Sequence, residues 1–138
     1  MALQKKGNRR HKMIFENDKQ LQDSLEEWQK ILRLQDWIVQ AKVVRARDMI
    51  LDESAAAVSW TYSKRMASIQ LLDPLDYTSE LMEEQDHEIS LVHELLHLHY
   101  AGFETTSRGT VEHALMEQSI EATSRALVYL KRKVKVDG

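Results

Sequence analysis

Cysteine is absent from the 138-residue chain, and long hydrophobic runs are absent as well. Without cysteine the protein cannot form disulfides, iron–sulfur clusters or thiolate zinc sites, so a metal site would use histidine, aspartate and glutamate. No run of about 18 apolar residues occurs, and residues 1–13 lack the apolar core of a signal peptide. These absences predict a soluble, cytoplasmic protein with no membrane partner.

Lysine and arginine are missing from residues 66–107, although carboxylates are frequent there. The acidic stretch is interpreted either as the solvated face of a helix or as a surface that favours cations or basic peptides. The net charge of −3 gives no overall attraction to nucleic acid, which is a disfavoured partner. Basic residues collect at residues 5–12 and 131–135. The first group is interpreted as a loosely ordered terminus, or alternatively as a nucleic-acid arm, and the second as complementing a helix dipole.

The single proline, Pro74, separates a β-rich region from a helical one. Before the β-rich region, apolar residues at helical spacing between Leu21 and Leu32 predict a first helix, which Asn17 or Asp18 can cap. Three strands are then predicted from β-branched, aromatic and alternating residues, at residues 37–44, 57–62 and 66–72. Two helices follow, from Thr78 or Ser79 to near Gly102 and from Thr110 to about Lys133.

This order predicts an α+β domain with an N-terminal helix, a small three-stranded, mostly antiparallel sheet and two C-terminal helices. Residues 1–13 are expected to form a flexible basic N-terminus and residues 14–133 a single domain. Residues 134–138 are expected to form a short tail.

The segment His93-Glu94-Leu95-Leu96-His97 matches the pattern H-E-x-x-H and lies inside a predicted helix. Side chains four residues apart share one face of a helix, so His93 and His97 can bind one metal ion. Glu94 lies about 100° further round, beside the ion, where it can take a proton from a metal-bound water. The alternative is a pair of histidines with no metal. It is disfavoured because two histidines and an acid are costly in so apolar a helix.

A catalytic zinc ion usually takes three protein ligands and a water, so a third ligand is expected downstream. The titratable candidates are His99, Glu104, Glu112, His113, Glu117 and Glu121. His99 points to a different face of the helix, and Glu104 is too close in sequence to fold back easily. Glu117 and Glu121 lie one turn apart on the last helix. One of them can bind the metal while the other accepts a hydrogen bond from the far nitrogen of a ligand histidine.

The motif at residues 93–97, followed by Glu117 and Glu121, resembles the gluzincin pattern, in which H-E-x-x-H is followed by E-x-x-x-D on the next helix. The resemblance implies Zn²⁺ as the metal, Glu117 as the third ligand and Glu121 as the acid that orients His93. Glu121 stands where the family has aspartate. Members of the wider class that use a third histidine would imply His113 instead.

The length and the order of elements are similar to those of the minigluzincins and of short metallopeptidase-like proteins encoded in phages and prophages. This resemblance implies a zincin-like fold. It also implies that an edge strand of the sheet, here residues 66–72, pairs with an extended peptide substrate.

The expected function is therefore zinc-dependent hydrolysis of peptide bonds, as an endopeptidase acting on a peptide or protein substrate. A peptidase also needs a group that stabilises the oxyanion, and sequence alone does not choose among Tyr62, Tyr100, Arg108 and His113. The alternative function is that of a regulatory protein on the same scaffold, catalytically silent or specific for a single substrate.

Overall fold

A computed structural model describes residues 12–78, 83–104 and 107–137 of the chain. It is an α+β structure with three main helices and a three-stranded mixed sheet. In chain order the elements are α1 (Asp18–Ile31), β1 (Ile38–Val44), β2 (Ala56–Thr61), β3 (Met66–Leu72), α2 (His87–Tyr100) and α3 (Val111–Asp137). Among the helices of these described residues, none combines the length and apolar character needed to cross a lipid bilayer.

The first helix begins where the sequence predicts. The side chain of Asn17 accepts a hydrogen bond from the backbone N–H of Gln20 at 2.9 Å, which satisfies a donor of the first turn. Leu21, Leu25 and Trp28 are 1–4% exposed and lie on the face that packs into the core. The predicted helix is confirmed.

The sheet has the order β1-β3-β2, with β1 parallel and β2 antiparallel to β3. The prediction of a mostly antiparallel sheet is therefore wrong for one of its two pairings. The prediction that residues 66–72 form an edge strand is also wrong, because β3 lies in the centre and is hydrogen-bonded on both sides. The edge strands are β1 and β2.

The connection between β1 and β2 explains this topology. Residues 45–55 cross the outer face of the sheet, where Met49 packs on Ala57 and Leu72. Gln70 on β3 holds this connection, since its side chain accepts from the N–H of Ile50 at 2.7 Å and donates to a carbonyl of the same segment. The crossing leaves the place beside β1 free for β3. Alternation along each strand does not reveal such a crossing.

Helix α2 begins at His87 and not near Thr78, because Asp86 accepts from the N–H groups of Glu88 and Ile89 at 3.1 Å each. Thr78 and residues 83–86 are not helical, and the other predicted cap, Ser79, lies outside the described residues. The helix ends at Tyr100, close to the predicted end.

Helix α3 continues to Asp137, so residues 134–137 are helical where the sequence predicts a tail. The basic residues near the end of α3 form ion pairs within the protein. Lys131 and Arg132 are only 13% and 11% exposed in their side chains, and both pair with the fully buried Glu88 at the start of α2. Arg132 also pairs with Asp86. These residues therefore tie the end of α3 to the beginning of α2.

His87 is the first residue of α2, and its side chain is hydrogen-bonded to two other segments of the chain. Its Nδ1 accepts a hydrogen bond from the backbone N–H of Phe15 at 3.0 Å, so its Nε2 carries the proton and donates to the carbonyl of Leu72 at 2.9 Å. The residue is 1% exposed. Burial lowers the pKa of His87 below its ordinary value, against the weaker effect of the hydrogen bond to Leu72.

We expect His87 to make the folded state less stable as the pH falls. The folded protein holds this imidazole neutral, so its contribution is complete above the unfolded pKa of about 6.5 and is lost as the pH falls toward the depressed folded value. The measurement is the free energy of unfolding in urea at about pH 7.5 and about pH 5, for the wild type and for His87→Gln. Other groups titrate in both proteins, so the difference between the two pH effects isolates His87. Equal losses in both proteins would contradict this role.

Candidate metal centre

Two histidines on one face of α2 meet a carboxylate of α3. His93 and His97 lie one turn apart, with ring centroids 5.3 Å from each other. The Nε2 atom of His93 lies 3.2 Å from Oε2 of Glu117, and Nε2 of His97 lies 2.8 Å from Oε1 of the same carboxylate. The spacing within the motif therefore directs both imidazoles toward one point between the helices.

The packing of α3 explains why Glu117 reaches that point. Ile120, Ser124 and Val128 are 0–2% exposed and form the buried stripe of the helix. Glu117 and Glu121 lie one turn apart at the border of this stripe, with side chains 37% and 39% exposed. When the stripe packs on the core, both carboxylates face α2.

His93, His97 and Glu117 are able to hold a metal ion together. Each offers one ligand atom, and these atoms all lie within 4.8 Å of one another. Two imidazoles and a carboxylate are a donor set that suits zinc and related divalent ions. The residues present therefore fit such an ion.

Glu121 lies where an orienting acid is expected. Its Oε1 is 2.8 Å from Nδ1 of His93, the ring nitrogen that faces away from Glu117. Its other oxygen accepts from Nε of Arg125 at 2.7 Å, and Arg125 also pairs with Glu83. The carboxylate of Glu121 is thus held on both sides, which fixes the ring orientation of His93.

Glu104 lies on the Nδ1 side of His97, as Glu121 does for His93. Its Oε2 is 3.6 Å from Nδ1 of His97, and its side chain is 13% exposed. Sequence analysis discounts Glu104 as a metal ligand, and the structure places it away from the shared point. It also places this acid beside His97, a contact that the sequence did not predict. No helical spacing signals this contact, because Glu104 follows the end of α2.

The charges of the three residues depend on one another. Burial alone lowers the pKa of His93, but hydrogen bonds to Glu117 and Glu121 outweigh it and raise that pKa to about 10. The pKa of His97 is raised in the same way, against burial, by its hydrogen bond to Glu117. The pKa of Glu117 is lowered by hydrogen bonds from both histidines. Binding of a cation would have to displace protons from the imidazoles.

Glu94 lies beside this group and is 8% exposed. Burial raises the pKa of its carboxyl to about 7, although the charges of His93 and His97 act in the opposite direction. A carboxyl with a pKa near neutrality can both accept and return a proton. Its position and its chemistry agree with those of a general base.

A cleft of about 270 Å³ opens next to His93 and Glu94. Its walls are residues 54–56 at the start of β2, residues 83–86, and parts of α2 and α3. Tyr77 and Arg125 also line it, and the sequence analysis named neither as a site residue. For Arg125 a signal exists, since it follows Glu121 by four residues on a helix. No comparable signal points to Tyr77.

The predicted oxyanion or substrate residues do not line this cleft. Tyr62 packs against Trp37, with ring centroids 6.0 Å apart, and Tyr100 packs against Phe103. His113 is half-buried in the first turns of α3 and is not part of the three-residue group.

His99, which the sequence analysis left as a ligand candidate, lies on another face of α2. Its Nε2 is 2.7 Å from the carbonyl of Leu32, beyond the end of α1. The prediction that it points away from the motif is confirmed.

No protein-family model matches the chain, and no curated protein or solved structure matches it significantly.

Proposed function

We propose that this protein is a zinc-dependent metallopeptidase with a zincin-like fold, in which His93, His97 and Glu117 hold the ion and Glu94 is the general base. One observation carries the proposal: the ligand atoms of the three residues lie within 4.8 Å of one another, with the buried Glu94 beside them. The presence of Glu121 behind His93 supports a gluzincin-like arrangement.

An ion held by His93, His97 and Glu117 would supply Lewis-acid chemistry, since zinc polarises carbonyl groups and lowers the pKa of a bound water from about 15.7 toward about 7. Side chains of the protein would transfer the proton and orient the histidine ligands. Glu94 would accept a proton from the attacking water and deliver it to the leaving amine, a role that suits a buried carboxyl beside the three ligand residues. Glu121 accepts a hydrogen bond from Nδ1–H of His93, which would keep Nε2 of that ring directed toward the ion.

The strand that would receive the substrate is β2 in this proposal, and not residues 66–72. β2 is an edge of the sheet, and residues 54–56 at its start line the cleft. On its inner face Trp60 stacks on His97, with ring centroids 6.5 Å apart. An extended peptide could add to the free edge of β2 by main-chain hydrogen bonds and pass the candidate centre.

The test is metal content and peptide cleavage in matched variants purified without added metal. We expect about one zinc ion per wild-type chain and almost none in Glu117→Ala or His97→Ala, because each loses one of three protein ligands. Cleavage of a mixed peptide library should be lost with the metal. His113→Ala is the control, and it should keep both properties.

Full zinc content in Glu117→Ala would contradict the proposed ligand set. Tight zinc binding in the wild type without cleavage of any generic peptide would instead favour the regulatory alternative.

A further inference from the structure

We infer that Glu104 is a positioning residue that orients His97 by accepting a hydrogen bond from its Nδ1–H. The inference rests on the proposed function, since an oriented His97 matters for metal binding. It adds a second orienting acid to the centre, on an element different from the one that carries Glu121.

The contact between His97 and Glu104 is buried. The side chains of His97 and Glu104 are 8% and 13% exposed, and the two facing atoms, Nδ1 and Oε2, lie 3.6 Å apart. Both atoms are shielded from solvent, and neither has a hydrogen-bond partner among the described residues. A buried polar atom without a partner is unfavourable. Here two such atoms of opposite character face each other and are a few tenths of an ångström too far apart to bond.

The two ring nitrogens of His97 face different carboxylates. Nε2 of His97 is 2.8 Å from Glu117, so this nitrogen faces the shared point of the donor set. The two nitrogens of an imidazole point away from each other, and Glu104 lies on the Nδ1 side. Glu104 is therefore placed to act through His97 and not as a ligand itself.

Metal binding through Nε2 requires one particular tautomer of a histidine. An imidazole that binds a metal through Nε2 carries its proton on Nδ1, and an acceptor at Nδ1 fixes both the tautomer and the ring orientation. Glu121 supplies such an acceptor for His93 at 2.8 Å. Closure of the 3.6 Å distance at His97 would give the second histidine the same support.

The chain holds Glu104 near His97 through the turn that ends α2. The N–H of Phe103 donates to the carbonyl of Tyr100 at 3.1 Å. Gly102 lies so close to Tyr62 that a Cβ at this position would be 2.8 Å from the phenol oxygen. This close approach defines the path of the chain just before Glu104.

The experiment measures zinc affinity by competition with a chelator in the wild type, Glu104→Ala and Glu104→Gln. We expect Glu104→Ala to bind zinc about 10- to 100-fold more weakly, as is usual when a partner behind a metal ligand is removed. Glu104→Gln should recover part of this loss, because its amide oxygen can still accept from Nδ1–H. Glu26→Gln, an exposed acid on α1, is the control and should match the wild type.

A spectroscopic measurement separates positioning from general structure. In the zinc-loaded wild type, the Nδ1 proton of His97 should be visible by NMR and protected from exchange with water. In Glu104→Ala it should exchange rapidly, while the thermal unfolding midpoint of the metal-free variant stays near that of the wild type. An unchanged zinc affinity in both variants would overturn the inference. If His97→Ala also binds zinc as the wild type does, the proposed metal centre fails with it.

Discussion

Replacing Glu94 by glutamine is expected to leave zinc binding intact and to lower peptide hydrolysis by about 10²- to 10⁴-fold, the usual contribution of a general base. Glutamine has nearly the same shape as glutamate but cannot accept the proton of an attacking water. The environment should tolerate it, because burial already favours the uncharged form of Glu94 and raises its pKa to about 7. The measurements are zinc content and kcat/KM on a peptide cleaved by the wild type.

The matched control for this variant is Glu84→Gln. Glu84 lines the same cleft but is exposed, and it has no role in the proposed reaction. It should keep activity within a few-fold of the wild type. Wild-type turnover by Glu94→Gln would exclude Glu94 as the base, whatever the metal content of the variant.

Replacing Glu88 by alanine should cost about 3–5 kcal/mol of folding free energy, because it removes the buried carboxylate that Lys131 and Arg132 share. Glu88 is 1% exposed and accepts hydrogen bonds from Trp28 at 2.8 Å and from Lys131 at 2.6 Å. Arg132 donates to its other oxygen at 3.0 Å. The measurement is the free energy of unfolding in urea.

Glu26→Ala gives the comparison for an exposed pair. Glu26 and Lys30 form an ion pair one turn apart on α1, with side chains 72% and 63% exposed. Its loss should change stability by no more than about 0.5 kcal/mol. A similarly small effect in Glu88→Ala would mean that Glu27 and Asp86 are sufficient partners for the two cations.

The features that sequence predicted well are local ones. The cap at Asn17 and the stripe from Leu21 to Trp28 follow from helical spacing and from the needs of the first turn. The geometry of His93 and His97 follows from the pitch of a single helix. Each of these depends on residues within a few turns of one another, so the sequence contains the necessary information.

The features that sequence missed depend on how distant segments meet. The parallel pairing of β1 with β3 results from the crossing of residues 45–55, which leaves no mark on the alternation of the strands. The contact between Glu104 and His97 depends on the direction of the chain after α2. The late start of α2 can be predicted from the sequence only in part. Asp86 is a recognisable N-cap residue, but other candidate caps precede it in the chain.

The long helix α3 is joined to α2 at two separate points, and this limits how the two helices can slide. Glu117 contacts the two histidines near the N-terminal end of α3. Lys131 and Arg132 contact Glu88 about 20 Å further along the same helix. A slip of α3 by one turn would bring Glu121 to the place of Glu117, but it would also bring Arg125 to the place of Glu121 beside Nδ1 of His93. The same slip would bring Lys135 to the place of Lys131 but Val136 to the place of Arg132, so the buried Glu88 would lose its guanidinium partner. The pair of Arg132 with Glu88 at one end and the contact of Glu121 with His93 at the other therefore both favour the register in which Glu117 faces the two histidines.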